Sequence, residues 1–410
     1  DKIHIKKLTR NYGTITNHKT ILSDANSSFE NFNSINNNTN GTMTLSGSFI
    51  NKIENSSNSD SIVLTGITGT LTNHGTYTQA LNKFTNDGLV TNQTTGTIIN
   101  SDSVINSSSG IIQNHNLITN DSTITNNGDI INNTSKTITN NNIFINNKLI
   151  TNNGTITISH TNGNLTNNLT INNNLTIQNY GTLTIASAGT ITNASTINNT
   201  KTSELINATF DVIGVLNNNN GATILNTGNM TNKTNGLITN PGIIDNRLSF
   251  VNNAIINTTG SILNKTTGTV TNNLTINNNT NGAIDNDGSM TISQTATLNN
   301  YATLINDSLL IDLGVIKNFK TGTVTNNNEF QVKNQMKNYG SITNNKTVKS
   351  YDNTIFENYN LITNSTSSMI ETNYNFINKK LNATNTESID LAGITGTINN
   401  SGTLLHNNNK

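Results

Sequence analysis

Residues 97–152 read TIINSDSVINSSSGIIQNHNLITNDSTITNNGDIINNTSKTITNNNIFINNKLITN. One phrase runs through the stretch: an apolar residue, any residue, then asparagine. It ends at Asn100, Asn106, Asn114, Asn120, Asn126, Asn132, Asn140, Asn146 and Asn152, with gaps of 6, 8, 6, 6, 6, 8, 6 and 6 residues. Side chains on a strand alternate with period two, so even gaps keep one face inward. Segments this short, repeated this often, bury a core only by stacking. The expected fold is all-β: a parallel β-solenoid of short strands, with an Ile/Leu/Val core and Asn ladders at its corners.

The phrase assigns a direction to each side chain. In Thr155-Ile156-Thr157 the Ile is expected inward and both Thr outward. The asparagine two residues after the apolar one shares its parity, so it also points inward, near a corner. Asn tolerates turn backbone, and stacked Asn amides can hydrogen-bond along the axis. A glycine two residues before the Ile, such as Gly154, is expected where a corner needs positive φ. Leu175-Thr-Ile177 and Leu183-Thr-Ile185 place Ile where Asn is expected, which predicts wider coils there. The phase is lost near 207–224 and 252–262, which reads as loops or bulged coils.

Elsewhere Asn272, Asn278, Asn286, Ile292, Asn300 and Asn306 are separated by 6, 8, 6, 8 and 6 residues. Long gaps never fall on every third segment. That favours two or four segments per coil, about 13 or 26 residues, over the three-segment coil of about 20 that solenoids more often use.

A longer repeat lies over the short one. Asn11-Tyr-Gly-Thr-Ile-Thr-Asn17 returns as Asn338-Tyr-Gly-Ser-Ile-Thr-Asn344, which defines a 327-residue super-repeat. At the same offset Phe29-Glu-Asn31 returns as Phe356-Glu-Asn358, and Phe49-Ile-Asn-Lys52 as Phe376-Ile-Asn-Lys379. About half of positions 10–76 are identical, against roughly one in eight expected from the composition. Residues 1–83 and 328–410 are therefore copies of one stretch, and residues 1–410 are expected to form a single continuous solenoid.

Of 410 residues, about 90 are Asn, about 70 Thr and about 52 Ile, far from ordinary globular usage. Lys plus Arg number 22 and Asp plus Glu 22, so the net charge is zero and no basic field invites nucleic acid. No apolar run is long enough to insert into a membrane. With no cysteine there is no disulfide framework and no thiolate metal site. Disordered chains are rich in Pro and Glu, whereas this one has a single proline and abundant β-branched residues suited to strands. Proline would remove ladder hydrogen bonds, and Trp is too large for a narrow core.

Chemistry-bearing residues are sparse. His4, His18, His74, His115, His160 and His406 are isolated, without metal-ligand spacing. Arg10 and Arg247, the only arginines, are too few for an anionic-sugar cleft. Asp285-Asn-Asp287-Gly288 opens like a calcium loop but lacks its closing Glu. Asp307 and Asp312 flank a strand and read as a solvated carboxylate pair. Asn-x-Ser/Thr sequons, as at Asn106, Asn132, Asn153 and Asn193, are mostly a product of composition. Thr-x-Thr pairs at Thr14/Thr16, Thr70/Thr72, Thr123/Thr125, Thr190/Thr192 and Thr323/Thr325 are expected to face outward, too interrupted for an ice-binding array. No catalytic residue, metal or cofactor is expected, and no enzyme.

The phrases Gly-Thr-Ile-Thr-Asn and Ile-Thr-Asn-Asn-Gly (Ile124–Gly128, Ile150–Gly154) resemble the repeats of bacterial surface β-solenoids, the autotransporter passengers and filamentous-haemagglutinin-type adhesins. The resemblance covers most of the chain, lies in pattern, and carries over no functional residue. It implies an exported, elongated stalk or adhesin at a cell surface. Starting at Asp1 rather than Met fits removal of a leader or of earlier repeats. The Asn and Ile bias also fits an AT-rich genome, which keeps a viral surface fibre open. The leading expectation is a structural shaft of a long extracellular fibre, its partner being further copies of itself. The alternative is an adhesin that binds host glycans or proteins. Its candidate residues are the aromatics Tyr351, Phe356, Tyr359, Tyr374 and Phe376, with Phe29, Phe32 and Phe49 in the other copy.

Overall fold

The computed structural model describes residues 2–32, 35–37, 42–51, 56–58, 62–64, 70–79, 83–159, 162–199, 209–351, 353–365, 368–372, 375–378, 382–385, 389–390, 397–400 and 403–406. They fall into two compact units, residues 1–210 and 211–410. Among the described residues every regular element is a strand, nearly all of four residues.

In the first unit, Ser103–Asn106, Ile111–Asn114 and Leu117–Asn120 form one coil. Thr123–Asn126, Asp129–Asn132 and Thr137–Asn140 form the next, each strand parallel to the one beneath. Ser103 lies in register with Thr123, Ile111 with Asp129 and Leu117 with Thr137. Three strands therefore make a coil, at about 20 residues per turn. The second unit, taken by itself, follows the same plan. There Thr269–Asn272, Thr275–Asn278 and Ala283–Asn286 are covered by Ser289–Ile292, Thr297–Asn300 and Thr303–Asn306. Both units are parallel β-solenoids.

The preference for two or four segments per coil is therefore corrected to three. The reason lies in the corners. Most are of two residues, and some are of four. In the first unit a four-residue corner, 107–110, follows the first strand of its coil. The next, 133–136, follows the second strand of the coil above. The next long connection, from Ile158 to Asn164, follows a third strand, and 186–189 again follows a first. The long corner recurs every fourth segment in a three-segment coil, so it walks one corner forward per turn. In the second unit 265–268, 279–282 and 293–296 recur every second segment and walk backward. Among the described residues no four-residue corner lies directly over another.

Alternation within strands follows the sequence closely. Ile156 and Ile158 are fully buried while Thr155 and Thr157 face outward. The core consists of Ile, Leu and Val, with Phe144 and Phe210 in the first unit and Phe250 and Phe330 in the second. Each such side chain contributes about 2 kcal/mol by leaving water.

Three further expectations are corrected. First, glycines at short corners rarely supply positive φ. Gly221 is the only described glycine with φ in that range, at 79°, and it lies on a long corner. The other positive-φ residues, Ser135, Asn235, Asn281 and Asn353, occupy the third place of four-residue corners. Glycine is needed at short corners for close approach: a Cβ at Gly128 would overlap the Gly110 carbonyl, and one at Gly314 that of Ser293. Second, residues 252–262 are neither loop nor bulge. Ile255–Thr258 and Ser261–Asn264 are regular strands, with Thr258 in the place of a ladder Asn. Residues 209–224 are likewise regular, whereas 201–208 lie outside the described residues. Third, Ile185 does hold a ladder position, above Asn167, but its coil is not wider: the step from Asn164 to Thr182 equals the short step from Ile111 to Asp129. Ile177 is an ordinary core residue beside Asn179.

Candidate functional site

The nine asparagines of the repeated phrase divide among three ladders. Asn100, Asn120 and Asn140 form one, with Nδ2 to Oδ1 distances of 2.6 and 2.7 Å. Asn106, Asn126 and Asn146 form a second at 2.7 and 2.8 Å, and Asn114, Asn132 and Asn152 a third at 2.8 Å in both steps. All are at most 1% exposed. Most of these amides donate to the Asn one coil later and to backbone carbonyls at their own corner and the corner above, as Asn120 does to Asn140, Ser122 and Ile143, whereas Asn140, beneath Ile158, donates to backbone alone. The ladder oxygen accepts from the coil beneath, and at some corners from a nearby backbone N–H, as Asn152 does from Asn132 and Gly154. A primary amide has the donors and acceptors to close such a corner without water.

In the second unit one ladder runs without a break through Asn226, Asn246, Asn264, Asn286, Asn306, Asn326, Asn344 and Asn364, at 2.7–2.8 Å per step. Interruptions leave visible consequences. Thr258 accepts from Asn240 at 3.1 Å, but the Oδ1 of Asn278 above it has no partner. In a third column Ile292, Asp312, Val332 and Ser350 replace asparagine altogether.

A second residue of the Asn-Asn pairs builds outer ladders. Asn168 donates to Asn147 and Asn147 to Asn127, at 2.7 and 2.8 Å. Asn299, Asn277 and Asn257 do the same on a strand face at 2.8 Å per step. Inner amides donate toward the later coil and these outer ones toward the earlier. Charged residues also pair between neighbouring coils: Arg10 with Glu30 at 2.8 Å, Lys148 with Asp129 at 3.2 Å, Lys337 with Glu357 at 3.3 Å and Lys349 with Glu371 at 3.0 Å.

The chemistry-bearing candidates scatter. His4 contacts Asp24 at 2.6 Å on an exposed edge, and His115 lies 3.4 Å from Asn133. His160 lies outside the described residues. Asp285, Asp287 and Asp307 bring one carboxylate oxygen each within 4.8 Å of one another. Lys265 already meets Asp287 at 3.3 Å and Asn327 meets Asp307 at 2.5 Å. Burial first, then the Asp287 charge, holds the Asp285 carboxyl above its ordinary range. Asp307 and Asp312 are not a solvated pair. Asp307 is at a corner, whereas Asp312 is fully buried on the inward face. Burial holds Asp312 well above the usual carboxylate range; Oδ1 accepts from Gly314 at 3.1 Å and Oδ2 has no partner. The sequons at Asn106, Asn132 and Asn193 place fully buried ladder amides at the acceptor position, closed to a glycan in the folded coil.

The aromatic candidates separate cleanly. Phe29, Phe49, Phe356 and Phe376 are core residues, and Tyr374 lies outside the described residues. Phe32, Tyr351 and Tyr359 sit at corners, Tyr351 beneath the ammonium groups of Lys333 and Lys349 at 4.9 and 5.6 Å. Sequence reasoning missed the feature that joins them. Tyr301, Phe319, Tyr339 and Tyr359 each follow a ladder asparagine, and they stack at 4.1, 6.3 and 4.6 Å between centroids. In the other unit Tyr12 and Phe32 stack at 4.8 Å. The available signal was an aromatic immediately after the inward Asn.

No protein-family model matches this chain, and no curated protein matches it. Among solved structures it is similar to a crystallised TibA fragment hyperglycosylated by TibC, at 14% identity and a TM-score of 0.25, over 87% of this chain and 100% of that one. At that score the likeness carries no argument about fold or function.

Proposed function

We propose that this chain is a shaft segment of a long extracellular or surface fibre, built from tandem 327-residue super-repeats, with a mechanical and non-enzymatic role. One observation carries the reading: the two copies of the super-repeat have the same local build within their own units. Asn11 bonds Asn31 at 2.7 Å, as Asn338 bonds Asn358 at 2.7 Å. Phe29 packs on Phe49 at 5.4 Å, as Phe356 packs on Phe376 at 5.2 Å. A sequence that returns to the same coil geometry after one super-repeat suits continuation by further copies. Coil edges offer unpaired backbone groups for that continuation. A fibre of this kind needs neither metal nor disulfide.

Electron microscopy of the purified protein tests the proposal. Filaments of 410-residue chains joined end to end are expected, with an axial repeat of about 100 Å from about 20 residues per coil and about 4.8 Å per coil. Single particles of fixed length with free ends would contradict it. A second reading, an adhesin binding glycans or proteins, is favoured by the stacked ring column between Tyr301 and Tyr359.

A further inference from the structure

The ring column borders a cluster of three lysines, two of which have no acidic partner among the described residues. Lys317 and Lys337 stand directly over one another on adjacent outward strand positions. Like charges in register destabilise a sheet. Glu357 relieves Lys337 at 3.3 Å, but among the described residues no acidic side chain pairs with Lys317. Lys320 adds a third ammonium on the exposed four-residue corner 319–322, again without an acidic partner among the described residues. That longer corner also carries one ring of the column. Phe319 opens it, 4.1 Å from Tyr301 below and 6.3 Å from Tyr339 above, both on two-residue corners. Lys317, Phe319, Lys320, Lys337 and Tyr339 together line one shallow open groove.

We propose that this groove binds an acidic polysaccharide strand, its carboxylates or sulfates on the lysines and its sugar hydroxyls and ring edges along Tyr339 and Phe319. The choice of ligand follows from the geometry. Two unpaired ammonium groups beside the Lys337–Glu357 pair leave the groove net positive on a chain of zero net charge, which is complementary to a polyanion. Nucleic acid would need free ring faces for base stacking. Here the faces are covered by neighbouring rings at 4.1 and 4.6 Å, and the 6.3 Å gap is narrower than an inserted base requires. Ring edges, a tyrosine hydroxyl and lysines remain, which suit sugar hydroxyls and anions. A shallow groove following the coils suits a polymer better than a small molecule, because each coil advances by about 4.8 Å, on the scale of one sugar in an extended chain.

The super-repeat supplies independent support. The first copy keeps the upper part of the site, the part with counterparts in the sequence: Arg10 stands for Lys337 and pairs with Glu30 at 2.8 Å, beside Tyr12 stacked on Phe32 at 4.8 Å. Lys6 and Lys333 correspond as well, as do Lys19 and Lys346. About half the positions differ between the copies, yet a basic residue, its carboxylate and two stacked rings persist. Tandem copies would present the site once per super-repeat, and avidity would follow.

The inference deepens the adhesin reading and is independent of the fibre. Filament formation is read by microscopy, and ligand binding by titration. The test is calorimetric titration of the full chain with polygalacturonate oligomers and with sulfated dextran in low-salt buffer. At least one should bind, and Lys317→Ala/Lys320→Ala should weaken binding about tenfold. Lys233→Ala/Lys265→Ala, remote from the groove, should bind as the parent does. Tyr339→Ala should weaken binding further; if it disturbs the coil, the exposed lysine variants alone decide. The proposal is overturned if neither polymer binds, if both lysine pairs matter equally, or if a single-stranded oligothymidylate binds as tightly.

Discussion

The backbone carbonyl of Lys136 lies directly beneath Gly154, so close that a Cβ at position 154 would overlap it. Gly154 belongs to a two-residue corner, and Lys136 closes the four-residue corner one coil below. The short corner seals the long one by coming nearer than any side chain permits. Gly154→Ala should therefore cost about 1–3 kcal/mol, whereas Gly13→Ala, with nothing within 4 Å, should cost little by crowding. Urea midpoints of the two variants check this; equal shifts would contradict the sealing role. Ala254 and Ala302 hold the same place over the four-residue corners 233–236 and 279–282, so some long corners admit a Cβ above them, and the demand at 154 comes from the closeness of the Lys136 carbonyl itself.

The same sealing explains why strand and core were legible in the sequence and coil size was not. Parity is a local property: the inward Asn126 and the outward Thr125 follow from period two alone. Coil size is not local. A long corner must rest between short ones, so the longer gaps avoid every third segment and imitate an even repeat. Local phase also hid the regular strand at Ile255–Thr258, because Thr258 fills a ladder place with a hydroxyl that the asparagine pattern does not register. The groove at Lys317 and Tyr339 was invisible for the same reason. Its residues lie one coil apart in sequence and become neighbours only once three strands are known to close a coil.

Asn126 accepts from Asn106 at 2.7 Å and donates to Asn146 at 2.8 Å. Asn126→Leu keeps the branched shape and the number of side-chain heavy atoms, and leaves a donor below and an acceptor above without that partner. Each deprived buried group costs about 1–3 kcal/mol. Thr125→Leu, one residue away on the outer face, should change stability by less than about 0.5 kcal/mol. Hydrogen exchange of the coils around 106–146 should accelerate in the first variant and not in the second. Unchanged protection in Asn126→Leu would show that the ladder is decoration on an apolar core.

Ile156 is fully buried and Thr157 faces outward on the next residue of the same strand. Ile156→Asp places an unpaired carboxylate between Ile138 and Ile177, the residues in register below and above. Burying that group costs several kcal/mol, enough to open the local stack, while Thr157→Asp should be tolerated. Limited proteolysis reads the difference: new cleavage near residue 156 in the first variant only. Equal digestion of both would overturn the inward assignment.

Asp312 replaces a ladder residue between Ile292 and Val332, and burial raises its carboxyl well above the ordinary value near 3.8. The folded state therefore holds the proton more tightly than the unfolded chain. Stability from this group is fully present below the unfolded value and falls as pH rises above it, until the folded carboxyl itself ionises. Across that window the slope is about 1.4 kcal/mol per pH unit. Asp312→Asn removes the titration and supplies an amide that suits this ladder position. The variant should equal or exceed the parent in stability at neutral pH, and the difference between them should shrink as the pH is lowered toward 4. Denaturation midpoints of both proteins across that range decide it: a difference that stays constant with pH would mean that Asp312 is already ionised in the fold, its charge met by the backbone N–H of Gly314.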